Sequence, residues 1–192
     1  MKVVSLLGSP RKKGNSSIMA DYLVSQLENE HGAHAVTYYL NSLDYKGCQA
    51  CFLCKTKKDK CIQKDDLAPV LEDVSGCDVL IMATPVYFGE VSAQLKGFID
   101  RTFSYLVPEY GKSNIKTRLT PGKQMAFLIS QGHPKQEFFA DIFPRYDRFF
   151  KWLGFTTNHL VRACGVYDKG AIGERKDIFN ELEETAANIA AG

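Results

Sequence analysis

No run of apolar residues in this 192-residue chain approaches the length of a membrane span, so no membrane partner is expected. Val3–Leu7, the apolar run at the start, is too short for the hydrophobic region of a secretory signal and reads as a strand. A chain that begins directly on a core strand is expected in the cytoplasm, where thiols stay reduced. A strong excess of charge of one sign is also missing. The net charge is +2 and the basic residues are scattered apart from Arg11–Lys13 and Lys55–Lys60, which argues against nucleic acid as a partner. There is no internal repeat and no low-complexity tract. Two phosphate-binding signatures are absent as well: neither G-x₄-G-K-[ST] nor G-x-G-x-x-G occurs.

What remains is an ordinary globular composition, 45% hydrophobic and 24% charged, long enough to bury a proper core as one domain over residues 1–192. Short apolar runs alternate with helical patterns. Strands are expected at Val3–Leu7, Ala35–Leu40, Val79–Ala83, Met125–Ser130 and Leu160–Val166. Helices are expected at Ser17–His31, Asp66–Val74, Ser92–Phe103, Gln136–Leu153 and Asp177–Ala191. This alternation predicts an α/β fold, a doubly wound five-stranded parallel sheet with helices on both faces, in the flavodoxin-like order 2-1-3-4-5. Val107–Thr120 is the longest irregular segment and a candidate flap over the site.

Four of the six cysteines crowd residues 47–62, at Cys48, Cys51, Cys54 and Cys61, with the spacing C-x₂-C-x₂-C-x₆-C. Three thiols three residues apart cannot share one helical face or all pair as disulfides, but a tight loop can wrap them around a metal centre. Iron–sulfur clusters are held by thiolate runs of this kind. Zinc favours two separated knuckles, and free or redox-active thiols are the remaining possibility. Cys77 and Cys164, at or inside expected strands, read as small buried residues.

The first strand runs into Gly8-Ser9-Pro10-Arg11-Lys12-Lys13-Gly14-Asn15-Ser16-Ser17 and then a helix. Small residues, hydroxyls and amides at a helix start make an anion site, and Arg11 adds a cation. A monophosphate fits it. The third strand ends in Thr84-Pro85-Val86-Tyr87-Phe88-Gly89, beside the first loop at the point where strand order reverses, where backbone amides and rings can seat a flat heterocycle. Ser130-Gln131-Gly132-His133 completes the rim after the fourth strand. Phe138, Phe139, Phe143, Tyr146, Phe149, Phe150 and Trp152 are too many for one buried stripe, and a subunit interface accounts for the surplus.

The pairing of GSPRKKGNSS with TPVYFG resembles the NAD(P)H-dependent FMN reductase branch of flavodoxin-like proteins. With the compact cysteine run followed by Asp65-Asp66-Leu67, the sequence resembles the iron–sulfur flavoproteins over roughly residues 1–105. The resemblance implies FMN held at its phosphate by Ser9, Arg11, Asn15, Ser16 and Ser17, and at its ring by Pro85, Val86, Tyr87, Phe88 and Gly89, with Gln131 and Gly132 on the rim. It also implies a [4Fe-4S] cluster on Cys48, Cys51, Cys54 and Cys61, and a homodimer or homotetramer. The expected function is an FMN-dependent oxidoreductase taking electrons from NAD(P)H, a transient co-substrate, or from a redox partner. Its acceptor would be a quinone, a flavin or a ferredoxin-type carrier. No side chain is assigned as catalytic acid or base, since the cofactor carries the reaction. Rival expectations are a cluster-free reductase of the same fold, a non-enzymatic electron carrier, and a zinc-stabilised binding module.

Overall fold

The structure, a computed structural model, describes residues 1–192. Five parallel strands carry it: β1 (Lys2–Leu7), β2 (His34–Tyr39), β3 (Val79–Tyr87), β5 (Lys123–Ser130) and β6 (Phe155–Ala163). Their order is β2-β1-β3-β5-β6, the doubly wound arrangement expected. A sixth strand, β4 (Glu90–Val91), is a two-residue addition that pairs antiparallel with the end of β3. The register sets Leu7 beside Ala83 and Pro85 beside Ser130, so the carboxyl ends of the central strands open onto one rim.

The sheet separates two cores because successive strand residues point to opposite faces. Val79, Ile81 and Ala83 of β3 face Met19, Leu23 and Leu27 of α1 (Asn15–His31) and Leu182 and Ile189 of α6 (Lys176–Ala191). Leu80 and Met82 face a second cluster. It contains Val70 and Val74 of α3 (Leu67–Ser75), Phe98 of α4 (Ala93–Arg101) and Phe150 of α5 (Ile142–Trp152). Between β2 and α3 (Leu67–Ser75) lie a 3₁₀ turn at Leu40–Ser42 and a single α-helical turn, α2 (Leu53–Thr56), the latter within the cysteine-rich loop.

Three expectations need correction. The helix expected over Gln136–Leu153 is broken into a 3₁₀ turn at Gln136–Phe139 and α5. Pro144 lies in the first turn of α5, and its ring would collide with the carbonyl of Ala140 if the helix extended backward. Strand β6 begins at Phe155, five residues before the expected Leu160, and ends at Ala163. Thr156 and Thr157 are exposed on this edge strand, so their polarity hid the pairing. The segment Val107–Thr120 does not cover the strand-end rim. It is pinned by Val107 N–H to Lys116 O (3.0 Å) and Arg118 N–H to Tyr105 O (2.8 Å), and Tyr110 packs on Phe103 and Trp152.

Candidate functional site

Beyond the strand ends lies a pocket of about 420 Å³, within the usual range for small-molecule sites. Its floor is the loop after β1. Gly8 is required there: a Cβ would come within 2.9 Å of both Leu95 Cβ and Ser92 Oγ. Ser92 caps α4 by accepting from Leu95 N–H (3.2 Å) and donates to Gly8 O (2.6 Å), which ties α4 to this loop.

Helix α1 starts at Asn15, two residues before its expected start at Ser17, and its N-cap Gly14 offers no side-chain cap. The first-turn N–H groups of a helix have no helical acceptor. Ser16 and Ser17 are buried, and neither hydroxyl has a hydrogen-bond partner. Ser9, Arg11 and Ser16 line the pocket, Arg11 with its side chain exposed. The arrangement leaves N–H dipoles, the unpartnered Ser16 hydroxyl and a cation on one wall of the pocket, the requirements for binding an anion.

Pro85, Val86, Tyr87, Phe88 and Gly89 form the opposite wall. Phe88 is fully exposed and sits in the left-handed region (φ 49°), followed by Gly89 (φ 82°). Lys13, in the first loop, is also left-handed (φ 56°). Non-glycine residues in this region carry strain of order 1–3 kcal/mol, and such positions concentrate at ligand sites. Gly132 lines the pocket as expected.

Asn15 lines the pocket as well, whereas Ser17 and Gln131, also expected there, are not among its lining residues. The side chain of Asn15 is committed elsewhere: Nδ2 donates to Val166 O (3.0 Å) and Asp168 O (2.9 Å), and Oδ1 accepts from Gly170 N–H (3.0 Å) and Ile172 N–H (3.2 Å). It clamps the loop after β6. Gln131 is buried behind the rim. It accepts from Arg162 Nη1 (2.9 Å) and donates to His133 O (2.8 Å) and Lys135 O (3.0 Å). Sequence reasoning missed Tyr167 and Lys169, which close the pocket from the loop that Asn15 clamps. No motif marks them; their signal is position after a strand's carboxyl end.

The four clustered cysteines line a separate cavity of about 140 Å³, with Phe52, Arg101 and Phe103 among its walls. Cys48 and Cys51 are exposed, Cys54 and Cys61 half-buried, and no residue from 47 to 62 is fully buried. No three Cys, His, Asp or Glu side chains converge closely enough to ligate one metal ion. Ala50 (φ 50°) and Phe52 (φ 56°) are left-handed, so the loop turns back on itself twice between Cys48 and Cys54. Arg118 donates to Cys54 O (2.9 Å), and Lys55 Nζ donates to Phe103 O (2.5 Å) and Leu106 O (2.6 Å). Of the two remaining cysteines, Cys77 is buried, as expected, and burial pushes its thiol up to about 12. Cys164 is only half-buried, just past β6.

The family model for NADPH-dependent FMN reductases matches residues 1–136. An iron–sulfur flavoprotein of Archaeoglobus fulgidus is 41% identical over 105 residues, 55% of this chain and 47% of the relative. This chain thus spans about half the length of the iron–sulfur flavoproteins it matches. Two solved structures share the fold over nearly their whole length. An NAD(P)H:quinone oxidoreductase from Methanothermobacter marburgensis has a TM-score of 0.74 at 18% identity, covering 98% of this chain and 96% of its own. An FMN-dependent NADH-azoreductase from Bacillus anthracis, in complex with FMN, has a TM-score of 0.73 at 14% identity, covering 98% and 99%.

Proposed function

The chain belongs to the NADPH-dependent FMN reductase family, and from that premise we propose that it is an NAD(P)H-dependent oxidoreductase with FMN in the strand-end pocket. The observation that carries this reading is the uncapped start of α1. Ser16 and Ser17 have buried hydroxyls without partners there, a deficit that a phosphate would satisfy. Ser9, Arg11, Ser16, Ser17 and the first N–H groups of α1 hold the phosphate. Pro85–Gly89, Gly132 and Tyr167 bound the ring. Asn15 lines the pocket while its side chain fixes the loop after β6, and Gln131 fixes the rim from behind. When bound, FMN supplies hydride acceptance from a nicotinamide and release of electrons singly or in pairs. The side chains position and exclude water, and none is required as acid or base.

The cysteine loop is proposed to hold an iron–sulfur cluster. All four thiols border one cavity at the spacing C-x₂-C-x₂-C-x₆-C, a donor set that suits an iron–sulfur cluster, whereas structural zinc favours two separated knuckles. With both groups in place, the acceptor would be a quinone, a flavin or a ferredoxin-type carrier. Phe138, Phe149 and Trp152 stay exposed while Tyr146 and Phe150 are buried. Phe149 and Trp152 edge an apolar groove of about 310 Å³ between α4 and α5. A second copy of the chain covers this face, giving a dimer or tetramer on a sizing column.

Steady-state oxidation of NADH and NADPH by the FMN-loaded protein, with a quinone as acceptor, tests the reading. Turnover is the expected result. Tight FMN binding without turnover would leave an electron carrier, and no FMN binding would remove both.

A further inference from the structure

Arginine side chains are almost never withdrawn completely from water unless paired, yet the side chain of Arg101, in the last turn of α4, has no exposure at all. Every nitrogen of its guanidinium is engaged at the neck of the cysteine loop. Nη1 donates to Asp65 Oδ2 (2.7 Å) and Lys46 O (2.9 Å), and Nη2 to Asp65 Oδ1 (3.2 Å) and Gln63 O (3.5 Å). Lys46 immediately precedes the loop and Gln63 and Asp65 immediately follow it, so one side chain buckles its two ends together. Nε points the other way and donates to Cys61 Sγ (3.1 Å).

A structural lock between α4 and the loop needs only the fork on Asp65 and the two carbonyls. The contact to sulfur is additional. Two other cations reach the loop region through carbonyl oxygens, Lys55, which also meets the Cys54 thiol, and Arg118, but neither is withdrawn from water as Arg101 is. We propose that Arg101 is the positioning residue of the cysteine site, holding Cys61 in place through Nε and setting a fixed positive charge beside the group the thiols bind. The proposal rests on the iron–sulfur reading of the loop. A guanidinium is not deprotonated in proteins, so the charge persists. A lysine would keep the charge and lose the fork, because an ammonium is a point donor and not a planar one.

Two variants separate holding from charge. Wild type, Arg101→Lys and Arg101→Gln are reconstituted anaerobically with iron and sulfide. Their midpoint potentials are measured, together with amide hydrogen exchange over residues 46–65. Both variants should exchange about tenfold faster in this segment, with the rest of the sheet unchanged. The potential should move to more negative values in Arg101→Gln, because a nearby cation favours the reduced, more negative site. It should stay near wild type in Arg101→Lys. Iron uptake with an unmoved potential in Arg101→Gln overturns the proposal alone and leaves a structural lock. If Arg101→Gln does not fold, Arg101→Lys decides by itself: wild-type exchange overturns the proposal, and faster exchange with the potential kept supports it. A wild type that takes up no iron overturns both this proposal and the iron–sulfur reading.

Discussion

The pocket at the strand ends and the cavity among the cysteines are built in opposite ways. The first is shaped by backbone: a glycine that lets β1 approach α4, an uncapped helix start, and a left-handed turn at Phe88-Gly89. The second is held by side chains sent from elsewhere. Arg101 comes from α4 and Arg118 from the segment after it, and they grip a loop in which no residue is fully buried. A backbone-built site survives most substitutions around it. A site held by a few buried ion pairs and hydrogen bonds depends on each of them.

That contrast is broken most severely by removing a thiol. Cys54→Ala should abolish iron and acid-labile sulfide uptake while leaving FMN binding unchanged, as read by metal analysis and flavin absorbance on anaerobic protein. Joint loss of both cofactors would show that the two sites are one unit. Next in size is Asp65→Ala, which strands the Arg101 guanidinium in the protein interior. Breaking a buried pair from one side costs about 3 kcal/mol or more, a fall of roughly 6–12 °C in Tm for a chain of this length.

The same pair carries a pH signature. Burial works to raise the Asp65 pKa, but the hydrogen bonds from Arg101 and Lys46 N–H and the Arg101 charge bring it below the ordinary carboxylate value. The stabilisation is therefore present above about pH 4 and is lost as pH falls through the depressed folded value. Denaturation curves of wild type and Asp65→Ala should accordingly converge in acid. A constant gap down to pH 2 would mean that the carboxylate contributes by packing alone.

Smaller effects are expected at the strand-end pocket. Arg11→Ala removes one charge-assisted contact to phosphate, worth about 1.5–3 kcal/mol, and should weaken FMN binding by about one to two decades in a titration of apo-protein. An unchanged affinity would move the phosphate away from this loop. The smallest change is Ser92→Ala, where loss of the α4 cap should cost about 1 kcal/mol in denaturant. FMN affinity should barely move, since the backbone of Gly8 keeps its bond to Ala83 O.

How much could be read beforehand follows the same division. Strand order and the two loops after β1 and β3 were legible because apolar runs and turn chemistry are local properties. The break before α5 was also legible in principle, at Pro144, but an aromatic-rich helical pattern ran straight through it. The early start of β6 was not, because exposed threonines on an edge strand look like loop. Asn15 carries a side chain suited to phosphate, and only the folded chain shows it spent on Val166, Asp168, Gly170 and Ile172, some 150 residues away. Arg101 was invisible for the same reason. Nothing in the local sequence QLKGFIDR distinguishes its arginine from a solvated helix terminus.

Because no residue between 47 and 62 is fully buried and Cys61 alone among them packs against the core, the loop is dispensable to the sheet. Descendants of such a chain can lengthen it or vary its exposed residues without disturbing the sheet, as long as Arg101 and Arg118 keep their partners in it. One scaffold can in this way gain or shed a second redox centre by mutation of a surface segment, while the residues that seat the first are never put at risk.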